Sequence, residues 1–223
     1  MKIFDIFERN GLSIGLGVFI VISIGGIVEI IPSFYDNARP LNYSKPYTAL
    51  ELTGRLIYIT EGCVECHSQL VRPFKIETDR YGHYSLSGEY AYDRPFLFGS
   101  RRIGPDLFRV GARRSVDWLE AHFLDAESTS PGTLMPDYTD LFTNSVDYET
   151  VYSDMYTQKV VFHVPYDEEG MPPLGEFEDM KESLLDEAKE IGPRFKTKAI
   201  RDHLENDEVK EVVALVAFLL RRR

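Results

Sequence analysis

The sequence predicts a mainly α-helical protein, in which a single N-terminal transmembrane helix is followed by an outer domain with long loops. Three observations predict it. Residues 11–31 are an apolar run with one charge, Glu29, near its end. Apolar residues recur at helical spacing after Thr48, after Ser115 and up to Leu220. Between them, residues 72–100 are crowded with Tyr, Gly, Pro and Phe and hold no lasting helical period, which reads as an ordered loop. With 223 residues, 43% of them hydrophobic and 13% aromatic, the chain can bury a real core and is not disordered throughout. Two cysteines exclude a disulfide-rich scaffold. A net charge of −11 argues against a nucleic-acid partner, which needs a basic face.

The elements follow in chain order. The apolar run reaches the ~30 Å of a bilayer core. It is too long for a signal peptide and exits through Glu29-Ile-Ile-Pro32 without a small-residue cleavage site. It therefore reads as an uncleaved anchor over residues 1–32, ended by Pro32. A Gly25-Gly26 pair would admit a partner helix closely, and Glu29 belongs at the interface or against protein. Lys2 and Arg9 before the run balance Arg39 and Lys45 after it, so flanking charge does not fix orientation. Residues 33–47 read as a linker, and 48–223 as the outer domain. Thr48-Ala-Leu-Glu51 is a capping box opening a helix with Leu52, Leu56 and Ile59 on one face. A short helix after Ser115 carries Val116, Leu119 and Phe123. Residues 143–190 hold 13 acidic and 3 basic residues, so −10 of the −11 is local. This is the core of an acidic, partly inserted region over 143–205, with an exposed helix expected around 176–190. A closing helix is expected over 207–220, with Val209, Val212, Val213, Val216 and Leu220 apolar. Arg221, Arg222 and Arg223 then suit the helix dipole and solubility.

One motif carries chemistry. Cys63-Val-Glu-Cys66-His67 is the attachment signature of a c-type haem. Two thiols on one helical turn can add to the two vinyl groups of one haem, and the next residue sets an imidazole under the iron. That makes Cys63 and Cys66 the thioether anchors, His67 the proximal ligand and one covalent haem c the cofactor. The outer domain is then a cytochrome c-like haem domain. Two other readings remain: a redox dithiol, which wants a βαβ setting, and half a zinc site, which lacks a second cysteine pair. His83, His122, His163 and His203 show no ligand spacing. For the sixth ligand, Met155 and Met180 sit in stretches that suit packing or surface. Met135 and Met171 each precede proline in a loop. Met135 is favoured by the order histidine, Gly-Pro, methionine, closing helix; Met171, a second histidine or an open position are the alternatives. The Pro105 carbonyl in Gly104-Pro-Asp-Leu107 is the candidate acceptor for the other imidazole N–H. Arg72, Arg101, Arg102 and Arg109 are candidate partners of haem carboxylates, or else exposed bases. Covalent c-haem is attached outside the bacterial cytoplasm, which sets the outer domain in the periplasm and the N-terminus in the cytoplasm, anchored in the inner membrane.

These residues also carry a resemblance. The anchor exit Val28-Glu-Ile-Ile-Pro32, Gly62-Cys-Val-Glu-Cys-His-Ser-Gln69, Arg72-Pro-Phe74, Tyr81-Gly-His-Tyr-Ser-Leu-Ser-Gly-Glu89, Gly104-Pro-Asp-Leu107 and Met135-Pro-Asp-Tyr138 resemble the mono-haem cytochrome c subunits (subunit II) of cbb3-type cytochrome c oxidases. The likeness covers roughly residues 10–142, and the Tyr81–Glu89 block discriminates. The resemblance implies a non-catalytic electron-transfer subunit with His67 and Met135 as axial ligands. Its implied partners are a catalytic subunit holding haem b and copper, a di-haem cytochrome c subunit, and a soluble or membrane cytochrome c donor. The His83 block reads as a docking surface for the catalytic subunit. The tail resembles the family more weakly, through Val164-Pro-Tyr166 and the closing helix, and the acidic insertion, roughly residues 170–205, departs from the family pattern. A free-standing anchored cytochrome and the small cytochrome subunit of a nitric oxide reductase share the same layout.

Overall fold

The structure, a computed structural model, describes residues 10–35, 40–99 and 101–221. Lys2, Arg9, Arg39, Arg222 and Arg223 lie outside the described residues. The chain divides into two compact units, residues 1–39 and 40–223.

The first unit holds helix α1 (Gly11–Tyr35). Asn10 opens it, its side-chain oxygen accepting the Leu12 N–H at 3.1 Å. Its apolar stretch, Gly11–Ile31, is 21 residues long, enough to cross a membrane by length and composition. A Cβ at Gly25 or Gly26 would meet nothing within 4 Å, so this face is open in the chain itself. Pro32 does not end the helix as expected, for α1 continues to Tyr35. Proline forfeits only the bond to the carbonyl four residues back, and near a helix end one further turn can close past it.

The second unit is built on helix α2 (Ala49–Thr60). The capping box forms as its sequence demands: Thr48 Oγ1 accepts the Glu51 N–H at 3.2 Å, and Glu51 accepts the Thr48 N–H at 3.0 Å. Of the expected stripe, Leu52 is buried, while Leu56 and Ile59 are half-buried. Burial instead wraps most of α2, because three other helices described below pack on it. Helix α3 (Cys63–Cys66) follows as a single turn. Residues 72–100, expected as loop throughout, contain helix α4 (Lys75–Tyr81) and a 3-10 turn, Ser87–Tyr90. The inward residues of α4 are Glu77 and Tyr81, so no aliphatic period announces it. Val71, Tyr81, Tyr90 and Phe108 form a small separate core beneath this region.

Helix α5 (Val116–Leu124) buries Val116, Leu119 and Phe123 as its spacing predicts. A 3-10 turn, Val110–Ala112, precedes it, and helix α6 (Ala126–Thr129) and a 3-10 turn, Thr139–Phe142, follow. The acidic region forms helix α7 (Tyr148–Phe162) and helix α8 (Phe177–Ile191). The latter was expected to be exposed. Its outer face is, but Met180, Leu184 and Ala188 are fully buried at i, i+4, i+8 and pack on α2. A 3-10 turn, Gly192–Arg194, leads to helix α9 (Lys198–Glu205).

The closing helix α10 (Glu211–Arg221) starts four residues later than predicted. Asp207 is in the left-handed region (φ 59°), and a bridge between Ser145 and Lys210 holds the approach outside the helix. Every residue from Val212 to Leu220 is buried. At the crossing with α2, a Cβ on Gly54 would lie 1.9 Å from the Ala214 carbonyl oxygen, so the backbones meet only because that position is glycine. Arg221 is not the solvated end that its position suggested. It donates to the carbonyls of Lys45 and Pro46 and pairs with Glu51, clasping the end of α10 to the start of α2.

Candidate haem site

Gly62, left-handed at φ 71°, turns the chain off α2 into the single turn of α3. Both thiols are free; Cys63 is buried within the main core and Cys66 is half-exposed. His67 leaves the turn in extended conformation. A strip from the Gly-Pro loop then runs alongside it. The Cys66 carbonyl accepts the N–H groups of Ile103 and Gly104, each at 2.9 Å. The Ser68 carbonyl accepts that of Leu107, and the Phe98 carbonyl that of Gln69.

This pairing brings two expected residues together. His67 Nδ1 lies 2.8 Å from the Pro105 carbonyl oxygen. A carbonyl only accepts, so Nδ1 carries the proton and Nε2 presents a lone pair with no hydrogen-bond partner among the described residues. Gly104 makes the approach possible: a Cβ there would lie 2.2 Å from His67 Cε1. Asp106 fastens the strip. Fully buried, it accepts from Ser68 Oγ (2.7 Å), Leu70 N–H (2.8 Å), Phe108 N–H (3.0 Å) and Arg102 (3.3 Å). Burial holds His67 below the usual imidazole range, against the pull of the Pro105 carbonyl and Asp106. Burial also pushes the Cys63 thiol up to about 12, with Glu61 adding to it. A reactive dithiol needs the opposite, a stabilised thiolate.

Helix α5 supplies a neighbouring wall. Trp118 and His122 stack at 4.5 Å. His122 is held down by burial first, then by the fields of His67 and Arg114. The loop that carries Met135 is tied to α5 by the Tyr138 N–H to the Phe123 carbonyl (2.8 Å) and to the start of α6 by the Ala126 N–H to Asp137 (2.9 Å). The pKa of the Tyr138 hydroxyl is raised by burial and then by the fields of Cys63 and Cys66. Met135 is half-buried against the core cluster that contains Cys63. Met155 and Met180 are fully buried packing residues, and Met171 sits in a separate loop held by Asp167.

Three of the four arginines named from the sequence are paired within the fold. Arg72 and Arg102 pair with Glu77 (3.2 and 2.9 Å), and Arg109 pairs with Glu89 (2.7 Å). These guanidiniums are held by carboxylates of their own domain. Arg101 is exposed, and among the described residues it has no carboxylate partner. Gly104 as a steric gap, Asp106 as a buried fastener and the Trp118–His122 stack went unread in the sequence. The i, i+4 spacing of Trp118 and His122 was the available signal for the last.

A haem suits these residues. Two thiols share one turn, an oriented imidazole offers a free nitrogen, and Ile103 and Leu134, beside Gly104 and Met135, leave 69% and 89% of their surface open for an apolar group to cover. A mainly helical domain presenting Cys-x-x-Cys-His in this way is of the cytochrome c class. More particularly, residues 4–222 match the family model described as cytochrome C oxidase, mono-heme subunit/FixO, and the chain belongs to that family. No curated protein matches the chain.

Proposed function

We propose that this chain is the electron-transfer subunit of a haem-copper terminal oxidase, serving a neighbouring catalytic subunit that reduces oxygen to water. The observation that carries this reading is the cysteine turn with its imidazole already oriented by the Pro105 carbonyl. In it, Cys63 and Cys66 would hold one haem c through thioether bonds, and His67 Nε2 and Met135 would ligate its iron. When bound, the haem would supply one-electron exchange. The chain's own residues set the conditions. The Pro105 carbonyl fixes the His67 tautomer and raises its basicity. Gly104 lets the loop approach the ring, and Asp106 keeps the strip in register. Electrons come from a di-haem cytochrome c subunit or a separate cytochrome c and pass to a b haem of the catalytic subunit, where oxygen meets a second haem and copper. No residue of this chain is catalytic. Helix α1 crosses the bacterial inner membrane once with the N-terminus in the cytoplasm, residues 33–47 link it, and residues 48–223 lie in the periplasm. The family match favours this over a free shuttle or a nitric oxide reductase subunit.

The test is purification of the tagged chain from membranes in mild detergent. One covalent c haem per chain, with b haem and copper retained, is expected. A chain emerging alone, or without covalent haem in a pyridine haemochrome spectrum, overturns the reading. For the sixth ligand, Met135→Leu is expected to lower the haem potential in a redox titration while Met171→Leu leaves it unchanged. The reverse pattern moves the ligand to Met171.

A further inference from the structure

A second charged feature lies apart from the haem site. Residues 72–114 carry more bases than acids, whereas 143–190 carry the opposite excess. On this basic side is an open cleft of about 510 Å³, bounded by α4, by Gly82 and His83, by Arg109 and Arg113, and by Tyr43. Two carboxylates face it, and each already holds a cation: Asp79 pairs with Lys75 at 2.8 Å, and Glu89 with Arg109 at 2.7 Å.

Arg80 and Arg113 are different. Both line the cleft, and neither has a carboxylate partner among the described residues. Arg113 donates to three backbone carbonyls, those of Asp106 (3.2 Å), Arg80 (3.3 Å) and Arg109 (3.5 Å). Those bonds position the guanidinium without neutralising it. Both guanidiniums lie close to the Tyr81 ring, at 5.2 and 5.3 Å from its centroid, with Arg102 at 5.0 Å. The charges therefore crowd one another. Arg113 sits below the ordinary guanidinium range through lost hydration and the field of Arg114, with Arg80 adding to it and Asp106 and Tyr81 opposing. An anion entering the cleft would relieve that repulsion. At the rim, exposed His83 and Tyr84 stack at 4.4 Å and offer an aromatic face of the kind enriched at protein interfaces.

We propose that this cleft is a docking socket for a carboxylate side chain of the neighbouring membrane subunit, gripped by Arg80 and Arg113. The proposal rests on the reading of this chain as an oxidase subunit. A guanidinium held by the fold presents paired donors that match a carboxylate, and a partner charge meeting them sets register as well as affinity. The aromatic rim and the subunit family favour a protein carboxylate over a phospholipid headgroup.

The experiment uses the full chain expressed with its partners and tagged for purification. Arg80→Glu, Arg113→Glu, the double variant and the doubly lysine-substituted chain are compared by b haem, c haem and lipid phosphorus per chain. The double charge reversal is expected to lower b haem per c haem by about tenfold at moderate salt, and the lysine pair to keep most of it. Unchanged c haem per chain reports an intact domain. Arg80→Glu, whose side chain makes no hydrogen bond to the fold among the described residues, reads out the socket even where Arg113→Glu disturbs folding. A double variant with wild-type b haem retention overturns the proposal. So does a loss of lipid phosphorus with b haem unchanged, which makes the occupant a lipid. A wild-type preparation lacking b haem overturns the subunit reading and the socket together.

Discussion

His67 is governed by two neighbours, a carbonyl that takes its Nδ1 proton and a glycine that makes room for its ring. Gly104→Ala places a methyl group inside the van der Waals radius of the imidazole, so the ring or the loop must move. Overpacking of this kind costs about 1–3 kcal/mol. The expected outcome is a lower melting temperature and less covalent haem per chain, read by calorimetry and haemochrome spectra. A variant with wild-type values in both would show that the loop yields freely. At this scale the sequence was most legible where chemistry is local. Two thiols and an imidazole within five residues announce themselves through spacing alone. The role of Asp106 comes from segments that meet only when folded, and in type it is an ordinary turn acid, whereas the Trp118–His122 stack lies within α5 and its i, i+4 spacing was its one sequence signal.

Helices were legible where aliphatic spacing was strong, as in α5, and hidden where it was not. Helix α8 illustrates the second case. Its many charges suggested a solvated rod, yet Met180, Leu184 and Ala188 make one narrow apolar line that suffices to dock it on α2. That docking has a pH signature. The Glu187 carboxyl is pushed up to about 7, mainly by burial and also by Glu51 and Glu190, against the Thr48 hydroxyl and Arg221. A free glutamate titrates near 4.5. Between those values the unfolded chain releases the proton while the folded chain keeps it, so stability falls as pH rises through this window and stays lower above it. Glu187→Gln should therefore melt above wild type at about pH 8 and with it at about pH 4. Equal melting at both ends would mean that the carboxyl is hydrated in the folded protein. The α2–α10 crossing makes a sharper demand. Gly54→Val forces a branched side chain against the Ala214 carbonyl, and its expected cost is at the upper end of about 1–3 kcal/mol or beyond, measurable by denaturant unfolding.

Over the whole molecule, the net charge of −11 conceals a division, with the acidic excess in 143–190 and a basic excess in 72–114. The count along the chain was readable from the sequence; which of those charges stay uncompensated was not, because it depends on which are already paired in the fold. A basic cytochrome donor steered by the acidic region should reduce the subunit more slowly as salt rises, by about tenfold from low to physiological ionic strength. Glu168→Gln with Glu169→Gln, both exposed, should flatten that dependence in stopped-flow kinetics. A rate indifferent to salt would leave this surface as solvated acid alone. The Arg221 clasp carries a different consequence, one of timing. It joins the last turn of α10 to the residues that open α2. During synthesis the cysteine turn is therefore made long before the helix that completes its shelter. Under the proposed function, maturation has an order written into the chain: the thiols meet their prosthetic group while the domain is still open, and the clasp then seals the product.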